Sequence, residues 1–136
     1  MSHRLLTLGG MTNTPNQVAA QMGLRVVSTR LPDGYGGMTD GRTIWLDDRL
    51  TMAERRSNLA HEILHCQAGH TGHQPPHVEM QIRKATAAWL ISLEDLRRAA
   101  QWTGSVDELA EELHVTRRVV IDRLEMLTYD QRMMLG

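Results

Sequence analysis

The stretch Thr51-Met52-Ala53-Glu54-Arg55-Arg56-Ser57-Asn58-Leu59-Ala60-His61-Glu62-Ile63-Leu64-His65-Cys66-Gln67-Ala68 decides the fold. Thr51 and Glu54 have capping-box spacing, in which a hydroxyl and a carboxylate satisfy the free backbone N–H groups at a helix start. Leu59, Ala60 and Ile63 then recur at helical spacing and make an apolar stripe. The pattern predicts a helix from about Met52 to Ala68. Residues four apart share one face of a helix, so His61 and His65 can grip one ion. Zinc takes nitrogen ligands at about 2.0–2.1 Å in tetrahedral geometry. Three protein ligands leave a fourth position for water, whose pKa zinc lowers to about 7. Glu62, beside the first histidine, is the candidate general base toward that water.

Upstream, Thr14, Pro15 and Gln17 read as a helix start, with Gly23 as its stop. Leu24 to Thr29 reads as a strand. Pro32-Asp33-Gly34 and Gly36-Gly37 signal turns, and Asp40-Gly41 between Met38 and Ile44-Trp45-Leu46 signals a hairpin. A small antiparallel sheet over residues 24–46 is the expectation. Asp47 and Asp48 end that hairpin rather than bind metal.

Downstream, Gly69 to Pro76 is a loop, and a helix follows from His77 or Val78 to Ile91. Ser92 caps a helix to about Trp102, Ser105 caps the next, and Thr116 and Thr128 begin two more. An N-terminal helix, a small sheet, a zincin-type active-site helix and a helical tail make an α+β fold with segregated parts. Two units are expected, a core over residues 1–103 and a helical extension over 104–136 packed on it.

Composition limits the function. The 136 residues are 41% hydrophobic and 23% charged, so the chain is globular rather than disordered. There is no Phe and aromatics make up 4%, so Leu, Ile, Val, Met and Ala must fill the core, which favours helices. A net charge of −1 gives no bulk attraction for nucleic acid or anionic membrane. The single cysteine, Cys66, excludes an internal disulfide and reads as a small buried residue. Met1–Gly10 is too poor in large apolar residues for a signal-peptide core, and no stretch approaches a membrane span, so the expected location is the cytoplasm.

The third ligand is open on spacing alone. An extended motif with a Gly and a third His fails, because Ala68 and Thr71 occupy those positions. Glu79 is well placed, because the Gly69–Pro76 loop lets the next helix fold back over the metal. His70, His73 and His77 compete with it.

Ile44-Trp45-Leu46-Asp47, Leu50-Thr51, Glu54-Arg55-Arg56 and Leu59-Ala60-His61-Glu62-Ile63-Leu64-His65, with Glu79 followed by Ala87-Ala88-Trp89-Leu90-Ile91, resemble the ImmA/IrrE family of metallopeptidases. The resemblance continues through Ser105 to Leu127. It implies that His61, His65 and Glu79 are the metal ligands and Glu62 the general base. It further implies a zinc-dependent endopeptidase that cuts a DNA-binding repressor of a phage or mobile element. Manganese or iron also suits two His and a carboxylate.

Residues 106–124 resemble a helix-turn-helix, with Leu109, Ala110, Leu113, Val115, Val120 and Leu124 inside and Arg117, Arg118 and Arg123 outside. Acidic Asp107, Glu108, Glu111 and Glu112 repel phosphate, so protein contact is a better reading than DNA contact. The alternative to an enzyme is a regulatory module that keeps the metal and binds a repressor or toxin through this tail. Trp45, Trp89, Trp102 and most of the methionines read as core or partly buried, with Met133-Met134 a candidate exposed contact. Tyr35 and Tyr129 are candidates for stabilising an oxyanion.

Overall fold

Ile44-Trp45-Leu46 is the most apolar strand segment, and the structure places it in the centre of the sheet. A computed structural model describes residues 13–136; the leader reading at Met1–Gly10 lies outside these residues. The elements are α1 (Pro15–Gln21), β1 (Arg25–Thr29), β2 (Gly37–Thr39), β3 (Thr43–Asp47), α2 (Met52–Gln67), α3 (Pro76–Leu90), α4 (Leu93–Ala100), α5 (Val106–Leu113), α6 (Arg117–Glu125) and α7 (Tyr129–Leu135). The fold is α+β.

The sheet is mixed rather than wholly antiparallel. Its order is β1-β3-β2, with β2 antiparallel to β3 and β1 parallel to β3. The hairpin at Asp40-Gly41 forms as expected. Asp40 Oδ1 accepts from Arg42 N–H at 3.0 Å and Thr43 N–H at 2.9 Å, and Gly41 takes φ +100°, which a side chain resists. The difference arises between β1 and β2. Their connection, residues 30–36, leaves room for β3 to enter between them, so β1 never pairs with β2. Burial explains the choice, since Ile44 and Leu46 are shielded only if β3 is central, whereas β1 carries Arg25, Ser28 and Thr29 at an exposed edge.

α2 lies on the sheet, with Leu59 and Ile63 fully buried against Ile44 and Leu46 in one cluster. Each such side chain contributes about 1.5–3 kcal/mol by leaving water. The same cluster continues through Ile82, Leu90, Leu96, Leu109, Val119 and Val120 to Leu127, so the tail shares the core. The capping boxes at Thr14, Thr51 and Thr128 form. Ser92, Ser105 and Thr116 cap α4, α5 and α6 through their hydroxyls.

Trp102 corrects an expectation. It is 83% exposed, because α4 ends at Ala100 and the indole falls on the turn beyond the helix rather than on its inner face. Met52, Met80, Met133 and Met134 are also exposed, whereas Met22 and Met126 pack against the core. No helix among the described residues is long and apolar enough to cross a membrane.

Candidate metal centre

α2 presents His61 and His65 from successive turns toward α3, which brings Glu79 from its first turn. Pro76 opens α3 and Gly69, at φ +80°, ends the stretch after α2, so the loop between them reverses the chain. His61 Nε2 lies 3.2 Å from His65 Nε2, and Glu79 Oε1 lies 3.2 and 3.1 Å from these two nitrogens. Ligands about 2.0–2.1 Å from a tetrahedral ion are separated by about 3.3–3.4 Å, so the three atoms already have the spacing of one coordination face. The donor set fits a zinc-type ion.

The electrostatics agree. Burial, with the neighbouring His65, holds the His61 imidazole below its ordinary pKa, and burial does the same to His65. Neutral rings with free lone pairs are the ligating form. Burial pulls the Glu79 carboxyl upward, but the Gln74 N–H and His65 outweigh it and keep it ionised. That N–H donates to Glu79 Oε2 at 2.9 Å, leaving Oε1 turned to the histidines.

Glu62 is buried beside this triad and is pushed up to about 7 by its burial and by the Glu79 charge. All four residues line a cleft of about 670 Å³. Residues 34–39, including edge strand β2, form one wall, and Thr116, Arg118, Val119 and Asp122 of the tail form another. At Gly37 a Cβ would sit 3.3 Å from Glu62 Cγ and 3.4 Å from its Oε2, so the bare backbone lets β2 lie over Glu62.

The model of the IrrE N-terminal-like domain, peptidase family M78, matches residues 19–125, most of the chain. The chain belongs to this family. No curated protein and no solved structure matches it. Membership in an M78 family gives the centre a metallopeptidase-like character, and the triad is where a metal would sit.

The other candidates fall elsewhere. His70 Nδ1 lies 2.9 Å from His65 Nδ1, on the side of that ring away from Glu79. His73 is exposed, 3.4 Å from Glu79 Oε2, and His77 is exposed on α3. Cys66 points to Thr39, whose Oγ1 is 3.3 Å from its Sγ, and burial pushes the thiol up. Asp47 closes β3, accepting from Leu31 N–H and from Arg49, while Asp48 pairs with Arg30. Tyr35 lines the cleft, whereas Tyr129 lies on α7 outside it.

Sequence reasoning missed the tail's wall of the cleft. Asp122 is buried and accepts from Arg83 Nε and Nη2, both at 3.1 Å, and from Arg118 Nη1 at 3.3 Å. The spacing of Arg118 and Asp122 by four on one helix was the available signal.

Proposed function

We propose that the protein is a zinc-dependent endopeptidase acting on a protein substrate in the cytoplasm. The observation that carries this reading is the convergence of His61 Nε2, His65 Nε2 and Glu79 Oε1 beside buried Glu62 in a cleft open to solvent. His61, His65 and Glu79 would hold the ion, which when bound acts as a Lewis acid that acidifies water and polarises the scissile carbonyl. Glu62 takes a proton from the attacking water and delivers it to the leaving amine. A carboxyl poised near neutral pH serves both directions of that transfer. Residues 1–103 are then the catalytic unit, and 104–136 an extension that supplies one wall of the cleft.

The resemblance to ImmA/IrrE peptidases points to a DNA-binding repressor of a phage or mobile element as the substrate. A regulatory module that holds metal but cuts nothing is the second reading; the exposed Tyr129, Met133 and Met134 on the tail favour it, as a partner surface. Metal analysis of wild type, His61→Ala and Glu79→Ala, with cleavage of co-expressed repressor, separates them. About one zinc per chain, lost in both variants, and Glu62-dependent cleavage is the expected result. Zinc without cleavage gives the second reading, and no zinc after reconstitution refutes both.

A further inference from the structure

We infer that His70 is a positioning residue, whose ring accepts the Nδ1–H of His65 and so holds the His65 Nε2 lone pair toward the metal centre. The inference rests on the metal-site reading above.

A neutral imidazole carries one ring proton. His65 Nε2 faces His61 Nε2 at 3.2 Å and Glu79 Oε1 at 3.1 Å, and must offer a lone pair there to ligate. Its proton then belongs on Nδ1, and the atom facing Nδ1 is His70 Nδ1, at 2.9 Å. His70 must therefore carry its own proton on Nε2. His65 is 3% exposed, so its Nδ1–H cannot turn to bulk water, and losing its acceptor would leave a buried donor unpaired.

The backbone builds this contact. Past Gly69, the chain turns so that His70 N–H donates to His65 O at 2.9 Å. One residue thus grips His65 by its carbonyl and by its ring. The β2–β3 turn backs the loop, since a Cβ on Gly41 would stand 3.4 Å from His70 O and 3.3 Å from Thr71 Cγ2. His61 lacks an equivalent: among the described residues no protein acceptor bonds its Nδ1, and its side chain is 22% exposed, so water can serve.

The test is zinc affinity at about pH 8, by competition with a chromophoric chelator, for wild type, His70→Ala and His70→Asn. Thermal unfolding of each variant checks that it is folded. Loss of such an outer partner weakens metal binding by about 10–100-fold, the drop expected for His70→Ala. Asn can place an amide oxygen near the lost Nδ1, so His70→Asn should recover most of the affinity. In zinc-loaded wild type, nitrogen NMR should show His70 Nδ1 without a proton. Equal affinity in wild type and His70→Ala, an Asn variant as weak as Ala, or a protonated His70 Nδ1 overturns the positioning role and leaves the metal site standing. A wild type that binds no zinc overturns the metal reading, and this inference with it.

Discussion

Glu62→Gln should make the metal-free protein more stable while sharply lowering the proposed peptidase turnover. In the folded chain burial and the Glu79 charge push the Glu62 carboxyl from its ordinary 4.5 to about 7. The folded state therefore binds the proton more tightly than the unfolded chain. Stability from this group is fully present below pH 4.5, declines as pH rises toward 7, and is flat above. At about 1.4 kcal/mol per pH unit, the ionised side chain costs the fold about 3 kcal/mol above neutrality. Glutamine is close in shape to the protonated acid and does not ionise. Urea unfolding with chelator present should find the two proteins equal near pH 4.5 and the variant about 3 kcal/mol more stable near pH 8. With zinc restored, the same variant should lose at least about a hundredfold in turnover, the usual worth of a general base. A stability difference that is absent at pH 8, or that does not change with pH, would refute the claim that the fold bears the cost of a poised base.

Asp122→Ala should cost about 2–3 kcal/mol in urea unfolding, the worth of hydrogen bonds to a charged group, because it releases the two bonds from Arg83 that tie α3 to α6. The cost stays below that of a fully buried pair because Arg83 is 40% exposed and can hydrate. Asp47→Asn should lower the melting temperature at neutral pH and much less near pH 2. The Arg49 guanidinium and the Leu31 N–H hold the Asp47 carboxyl far below its ordinary range, so its contribution is present above pH 4 and lost in acid. Gly41→Ala, at φ +100° and against Thr71, should destabilise by about 1–3 kcal/mol in thermal unfolding and weaken zinc binding through the His70 loop.

What could be read from the sequence was whatever local chemistry dictates. The Thr51–Glu54 box, the stripe through Leu59 and Ile63 and the four-residue spacing of His61 and His65 are all set within one helix, and α2 runs over Met52–Gln67 much as expected. Glu79 needed a second helix and a reversing loop, and Gly69 with the Pro75-Pro76 pair carried enough signal to suggest them. The sheet was different. Turn residues mark where a chain bends but not which strand it bends beside, so the parallel pairing of β1 with β3 had no local signature. His70 was legible as a possible ligand but not as a partner of His65, because a ring-to-ring contact depends on how the loop closes.

The tail shows the same limit and bears on function. In sequence, Arg117, Arg118 and Arg123 look like the outer face of a recognition helix. In the structure Arg117 pairs with Asp107 at 2.7 Å, Arg118 meets Asp122, and Arg123 Nε donates to the Ile91 carbonyl at 2.7 Å. α6 turns Arg118, Val119 and Asp122 to the cleft. Arg117 and Arg118, already paired with carboxylates within the protein, would release fewer counterions on meeting phosphate than unpaired arginines would. The helix pair is instead tied to the centre, with Thr116 N–H near Ser57 Oγ at 3.3 Å and Arg56 reaching the carbonyls of Leu113 and His114. Ser57 and Arg56 sit one turn before His61 on α2. A partner that moved α5 and α6 would therefore pull on the helix that carries His61 and His65.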